Sequence, residues 1–379
     1  MKKKKVLYVF NGDKNKGIGA SAIYRATIPA TIINQQKNSG YQVDWLWLDD
    51  FGTLTLDDVR EYSIIIFPRF YVARRDAARL ETARLFRLLR ENNIRILVEF
   101  DDDYSNEHRQ VVDGDFAEAA SWTDGCIVTT PFLAERIETL TGLRTYVCPN
   151  SLIPDLSDPK LTGIEKEKGK LRILLSGTAT HNEDWRVLGE VLPGFMQKYQ
   201  HKVRLMIGGF HPDYLKNLPS TLYYPVLPYM MQSNVRNEFE YVGLVQTADI
   251  VLCPVMPDDL FNRGKSEIKA VEGMAGGAFV IATDNPVYRL AISHLRNGYL
   301  TAHTAVGWWG ALEFAVTRKT DRIRIAKRGY RSAWRDYNAA KNWNLWVRTF
   351  NNVIRRNPNS VILPIDEGYP ITPREVIEV

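Results

Sequence analysis

The strongest constraint on the fold of this chain is a rhythm that occurs twice. Short apolar runs alternate with helical stretches at KVLYVF (5–10), QVDWLWL (42–48), SIIIFP (63–68), IRILVEF (94–100), GCIVTT (125–130) and TYVCPN (145–150). The alternation stops after Asn150, where SLIPDLSDPKLTGIEKEKGK carries two prolines, two glycines, many charges and no apolar period. It restarts at LRILLSG (171–177) and continues through KVRLMIGG (202–209), LYYPVLP (222–228), ADIVLCP (248–254) and AFVIAT (278–283). Near-continuous apolar strands separated by helical segments mark a parallel sheet covered on both faces, because each parallel connection needs a crossover. The spacing therefore predicts an α/β protein with two Rossmann-like domains, over residues 1–150 and 171–340, joined by a linker at 151–170. Residues 341–379 read as a helix rich in Trp and Arg followed by an extended tail with Pro358, Pro364, Pro370 and Pro373.

A chain of 379 residues has room for two such domains. A composition of 45% hydrophobic and 25% charged residues is that of a folded globular protein. No segment approaches the roughly 20 apolar residues of a membrane-spanning helix. The start, MKKKKVLYVF, has a basic run, but its apolar stretch ends at Asn11 and Gly12, too soon for a secretory core, so a first strand in a cytoplasmic protein is expected. Three widely spaced cysteines, Cys126, Cys148 and Cys253, fit reduced buried thiols, and no metal cluster is visible. A net charge of +5 favours an anionic ligand without singling out nucleic acid.

The local pattern over 261–283, FNRGKSEIKAVEGMAGGAFVIAT, is more specific. It reads as a basic turn, an amphipathic helix starting near Lys265 or Ser266, a glycine break and a buried strand. At about 100° per residue, Lys265, Lys269 and Glu272 share one helix face. Cations and free N–H groups at a helix start suit a diphosphate, and a carboxylate two turns on can accept hydrogen bonds from ribose hydroxyls. An ordinary surface helix would show the same mixed charges. The flanks favour the ligand, since small or charged residues recur wherever a strand ends: Gly17 and Gly19, Asp101 to Asp103, Gly177 to His181, Gly208 and Gly209, and Arg263 to Ser266. In α/β sheets such positions face the ligand crevice, here a cleft between the two domains.

Several motifs narrow the chemistry. The loop NGDKNKGIGASAIYR resembles a phosphate loop, but Ala22 stands where the dinucleotide fingerprint needs its third glycine. Arg25, one turn into the following helix, is either a cation facing the cleft or a surface arginine. The GKS of 264–266 is not a Walker A motif, because its first glycine position holds Asp259. The Asp101-Asp102-Asp103 run contains DxD, which suits a divalent ion, an acceptor hydroxyl or a helix cap. In GTATHNEDW, Thr178 and His181 project from the loop after a strand. Between Arg69 and Arg95 the chain holds eight arginines, and Arg75, Arg79, Arg84, Arg87 and Arg90 cover half of a helical wheel. That half is either a solvated surface or a seat for a polyanion.

The combination resembles the GT-B glycosyltransferases, specifically the group 1, glycogen synthase-like family. The residues that carry it are SAIYRATIPATIINQQKNSG, VEFDDD, YVCPNSL, LRILLSGTATHNED and FNRGKSEIKAVEGMAGGAFVIATDNPVY with NGYL. The resemblance implies a nucleotide-sugar donor, with UDP- or GDP-sugar expected, held by the second domain, and an acceptor met mainly by the first. It makes Glu272 the ribose-binding glutamate and Arg263, Lys265 and Ser266 diphosphate contacts, with Gly17, Gly19 and Arg25 closing over the donor. The NWNLWVRTF helix resembles the final helix that crosses back to the first domain. One departure stands out: many members carry a second glutamate eight positions before the ribose-binding one, and here that position is Gly264.

The implied reaction is hexosyl or pentosyl transfer to an acceptor hydroxyl, with no resident cofactor required and a divalent ion compatible but not expected. Asp102, or its neighbours Asp101 and Asp103, is the candidate contact for acceptor or sugar. The acceptor is a glycan, a small molecule or DNA. Two other readings use the same scaffold: sugar transfer to a modified base in DNA, suggested by the arginine face, and a non-catalytic binder of nucleotide-sugar or nucleic acid.

Overall fold

A computed structural model describes residues 3–10, 22–52, 54–69, 72–73, 76–103, 114–115, 121–152, 169–177, 181–209, 222, 226, 228, 230–234 and 238–358. The chain divides into two compact units. The first comprises Met1–Ser151, Gly264–Ser266 and Ala339–Val379, and the second Leu152–Arg263 and Glu267–Asn338.

Eight strands belong to the first unit: β1 (Lys4–Phe10), β2 (Tyr41–Trp47), β3 (Tyr62–Pro68), β4 (Val72–Ala73), β5 (Arg95–Phe100), β6 (Gly114–Asp115), β7 (Gly125–Val128) and β8 (Thr145–Val147). Six of them form a parallel sheet in the order β2-β1-β3-β5-β7-β8. The short β4 and β6 pair antiparallel, a feature the apolar pattern had not signalled. The central strands are mostly apolar because both sheet faces are covered, with Glu99 of β5 the buried charge among them. One face packs Leu7, Ile65, Phe67 and Ile96 against Phe86 and Leu89. That side is closed by the helix Asp76–Glu91, whose outer arginines also find partners: Arg87 Nε lies 2.8 Å from Glu91 Oε1, and Arg90 Nη2 donates to the Trp122 carbonyl at 2.5 Å. Arg75 and the side chain of Arg79 lie outside the described residues.

The other face carries Val6, Tyr8, Val43, Ile64 and Ile66, packed against Trp346, Phe350 and Val353 of the helix Ala339–Arg355. Tyr41 Oη donates to Asn351 Oδ1 at 2.9 Å, and the Tyr8 and Trp346 rings meet edge to face. The C-terminal helix therefore returns to the first sheet, and its indole, phenyl and valine side chains are part of that core. The tail from residue 359 lies outside the described residues.

The second unit holds β9 (Leu171–Ser176), β10 (Val203–Gly209), β11 (Met230–Asn234), β12 (Ile250–Cys253), β13 (Phe279–Thr283) and β14 (Tyr299–Thr301). They form a parallel sheet in the order β11-β10-β9-β12-β13-β14. The strand expected at 222–228 is instead Met230–Asn234. Pro225 and Pro228 lack the N–H that a ladder position needs, and residues 223–225 lie outside the described residues. The helix Ile268–Ala275 packs on β12 and β13 through Gly273, where a Cβ would stand 2.9 Å from Val280 Cγ2 and 3.1 Å from Val251 Cβ. Among the described residues no helix is long and apolar enough to cross a membrane. All three cysteines are buried and free.

Candidate functional site

In the second sheet the chain proceeds from β9 to β10 on one side and later returns to lay β12 on the other. The carboxyl ends of β9 and β12 thus flank a topological switch point, where open α/β sheets bind their ligands. Six polar side chains gather there, those of Ser176, His181, Asp184, Tyr241, Lys269 and Glu272. Lys269 Nζ, from the second position of the helix Ile268–Ala275, donates to the Ser176 carbonyl at the end of β9 at 2.9 Å and lies 3.1 Å from His181 Nε2. His181 Nδ1 lies 2.9 Å from Asp184 Oδ2, and the imidazole stacks on Trp185 with ring planes 10° apart. Gly177 makes this crowding feasible: a Cβ there would fall 2.7 Å from His181 Cδ2 and 3.1 Å from both Lys269 Nζ and Trp185 Cζ2.

One helical turn beyond Lys269, Glu272 Oε2 accepts a hydrogen bond from Tyr241 Oη at 3.0 Å, and that hydroxyl lies 3.4 Å from Ser176 Oγ. Burial, then the Glu272 carboxylate, pushes the Tyr241 phenol well above its ordinary value, so it stays a donor to Glu272. Burial likewise raises Cys253, at the end of β12, to about 12, with Lys269 pulling it down and Glu272 pushing it up. The site therefore combines a cation, a histidine and a carboxylate around strand ends, which is a set able to meet a phosphate on one side and hydroxyls on the other.

The expected helix start moves. The chain forms a short helix Leu260–Gly264, breaks over 265–267 and resumes at Ile268 behind Glu267. Arg263 thus sits in the short helix, and Lys265 and Ser266 fall in the break, within the three residues that group with the first unit. Helical periodicity carries Lys269 and Glu272 only, because Lys265 precedes the helix. Tyr337 Oη donates to Glu267 Oε1 at 2.7 Å, which ties that break to the end of the helix Lys319–Asp336.

In the first unit the aspartate run lies just beyond β5. Arg69 forks onto Asp101, with Nε to Oδ1 at 2.8 Å and Nη2 to Oδ2 at 2.7 Å, and reaches Asp102 Oδ2 at 3.5 Å. Arg136 Nε lies 3.4 Å from Asp103 Oδ2. Asp101 and Asp103 are buried, and Asp102 is the most accessible of the three. The neighbouring like charges are thus offset by arginines of the same unit. Arg25 points inward: it is 1% exposed and pairs with Glu99 of β5, so it is no surface arginine. Gly17, Gly19 and Thr178 lie outside the described residues. Among the described residues no three His, Cys, Asp or Glu side chains converge as metal ligands. Sequence reasoning did not single out Asp184, Tyr241 or Asn262. Only Asp184, at i+3 from His181, offered a local signal.

No protein-family sequence model matches the chain, and no curated protein is similar to it in sequence. Solved structures are similar in fold. A glycosyltransferase from Rickettsia africae ESF-5 superposes with a TM-score of 0.67 at 12% identity, over 94% of this chain and 100% of that one. Anabaena Alr3699/HepE, solved in complex with UDP and glucose, gives 0.65 at 14% identity, over 92% and 100%. A sucrose-phosphate synthase from Thermosynechococcus elongatus gives 0.63 at 13% identity, over 92% and 99%. The paired Rossmann-like architecture of the GT-B glycosyltransferases, expected from the sequence, is thus the fold of this chain.

Proposed function

We propose that the chain is a glycosyltransferase that moves a sugar from a nucleoside-diphosphate sugar to an acceptor hydroxyl. The observation that carries this reading is the convergence of Lys269, His181 and Glu272 on the carboxyl ends of β9 and β12. The fold supports it too, since Alr3699/HepE shares that fold and was solved with UDP and with UDP-glucose.

In this reading Lys269 and the basic residues Arg263 and Lys265, with Ser266, meet the diphosphate, and Glu272 accepts hydrogen bonds from ribose hydroxyls. Gly177, Thr178 and His181 line the phosphate side, and the Gly17 to Gly19 loop belongs to the same donor. The acceptor oxygen attacks the anomeric carbon, the bond to the diphosphate oxygen breaks, and the acceptor proton leaves to a base or solvent. Negative charge grows on the departing diphosphate, so a fixed ammonium aimed there stabilises the transition state more than the ground state. Asp102, the most accessible of its run, is assigned to acceptor or sugar. UDP and GDP are the candidate nucleotides, and the compartment is taken to be the cytoplasm.

A thermal-shift panel of UDP, GDP and their sugars, run on the wild-type protein and on Glu272→Ala, tests the reading. Stabilisation of the wild type by one nucleotide, lost in the variant, is the expected result. A native protein that none of these nucleotides stabilises sinks it.

A further inference from the structure

Asp184 is fully buried, and its two carboxylate oxygens serve different partners. Oδ1 accepts from the Met256 amide at 2.9 Å and from Asn262 Nδ2 at 2.7 Å, both in the segment that follows β12. Oδ2 faces His181 Nδ1 at 2.9 Å, in the segment that follows β9. One carboxylate therefore ties together the two loops at the switch point. Its negative charge is met by donors from both loops, which is what a buried carboxylate requires.

The same contacts assign the imidazole protons. A carboxylate only accepts hydrogen bonds and an ammonium only donates them. Nδ1 must then carry its hydrogen toward Asp184, and Nε2, 3.1 Å from Lys269 Nζ, must present its lone pair. These contacts select the neutral Nδ1–H tautomer of His181, whose ring plane lies 10° from that of Trp185. We propose that Asp184 is a positioning residue for the donor site: it fixes His181 in that tautomer, and His181 with the Ser176 carbonyl holds the Lys269 ammonium at the end of β9. This deepens the donor reading and rests on it, because Lys269 is the cation assigned there to the diphosphate.

Asp184→Asn separates this role from simple bracing of the loops. The new amide oxygen can still accept from Met256 and Asn262, but its NH2 group donates toward His181 Nδ1. The imidazole must then carry its hydrogen on Nε2, pointing it at an ammonium that has no lone pair to offer. Lys269 loses its tether to the imidazole without any loss of packing volume.

Nitrogen-15 NMR of histidine-labelled protein reads the tautomer without any ligand. The Nδ1–H form is expected in the wild type and the Nε2–H form in Asp184→Asn. Calorimetric titration with UDP and GDP should show the variant binding about tenfold or more weakly, the scale of one charged hydrogen bond. Its melting temperature should stay within about 5 °C of the wild type. Should Asp184→Asn fail to fold, His181→Phe, which keeps an aromatic ring on Trp185 but removes both nitrogens, must show the same loss. Wild type that binds a nucleotide while His181 is in the Nε2–H form, or a folded variant that binds equally well, overturns the proposal alone. Wild type that shows the Nδ1–H form but binds neither nucleotide overturns the donor reading and the proposal with it.

Discussion

Arg25 and Glu99 form an ion pair in which each side chain is 1% exposed, although 74 residues separate them in sequence. Arg25 sits in the π-helical turn Ile23–Thr27, and Glu99 is the penultimate residue of β5. The same guanidinium donates to the Cys148 carbonyl at 2.6 Å and to Asn150 Oδ1 at 3.0 Å, and lies 4.9 Å from the centre of the Trp346 ring. One cation thus joins the first helix, the middle of the sheet, the end of β8 and the C-terminal helix. At pH 8, where Glu99 is ionised, removing it strands a buried carboxylate, so Arg25→Met should cost about 3–5 kcal/mol in chemical denaturation. A loss below about 1 kcal/mol would mean that the pair contributes nothing beyond its volume.

The pair also makes stability depend on pH in a defined direction. Burial pushes the Glu99 carboxyl up to about 7, against the lowering pull of Arg25. This folded-state value exceeds the unfolded one of about 4.3, so the native state keeps a proton that the unfolded chain has already released. The corresponding stability is present in full below about pH 4 and is lost as pH rises through 7. Glu99→Gln cannot titrate. The free-energy difference between wild type and Glu99→Gln should therefore fall by up to about 3 kcal/mol from pH 4.5 to 8, measured by urea denaturation. A difference that is flat or rises over that range contradicts the assignment.

Gly177 offers a test in which fold and site respond differently. An added methyl group would meet His181, Lys269 and the Trp185 ring at 2.7–3.1 Å. The lysine end can swing away, whereas the stacked, buried Trp185 cannot. Gly177→Ala should lower the melting temperature by only a few degrees, of the order of 1 kcal/mol. Nucleotide affinity, followed by calorimetry, should drop about tenfold because the displaced ammonium is the one assigned to the diphosphate. Unchanged affinity would place Lys269 outside the donor site.

Much of this was legible in the sequence because parallel strands buried on both faces announce themselves as apolar runs. SIIIFP and FVIAT need no partner information to be read as strands. The exceptions are informative. LYYPVLP is apolar enough but carries two prolines, which suit a ladder poorly, and the strand that pairs with β10 is Met230–Asn234. The helix at 268 was placed about three residues early because charge alternation continues through Lys265 and Ser266, while backbone geometry breaks there. Lys269, Glu272 and His181 could be named from strand ends and helix spacing. Tyr241 and Asn262 could not, because their roles depend on contacts with residues 31 and 78 positions away. The partner of Arg25 is hidden for the same reason: nothing local reveals that Glu99 stands inside the sheet.

The three cysteines should behave as structural thiols. Burial pushes Cys126 well above its ordinary value, Cys148 up to about 11 and Cys253 up to about 12. The thiolate is the reactive form, so at pH 8 each should be almost wholly protonated as well as shielded. A thiol-specific disulfide reagent added to native protein should label none of them on the minute timescale, and all three once urea unfolds the chain. Rapid labelling of one cysteine in the native state would show that its surroundings open far below the global unfolding free energy.

Gly273 sets how closely the site-bearing helix lies on its sheet. A Cβ there would stand 2.9 Å from Val280 Cγ2 and 3.1 Å from Val251 Cβ. Both neighbours are β-branched and lie in adjacent strands, β13 and β12, so their side chains have few rotamers to retreat into. Two effects oppose each other in Gly273→Ala. Helix propensity favours alanine by about 1 kcal/mol, while overpacking a close-packed contact costs about 1–3 kcal/mol. The clash should win, giving a net loss of about 1–2 kcal/mol by urea denaturation. Displacing the helix also carries Lys269 and Glu272 with it, so Gly273→Ala should weaken nucleotide binding although residue 273 faces the sheet. A variant that is more stable than wild type would show that the helix has slack on the sheet, and the distance between Lys269 and the end of β9 would then not be set by packing.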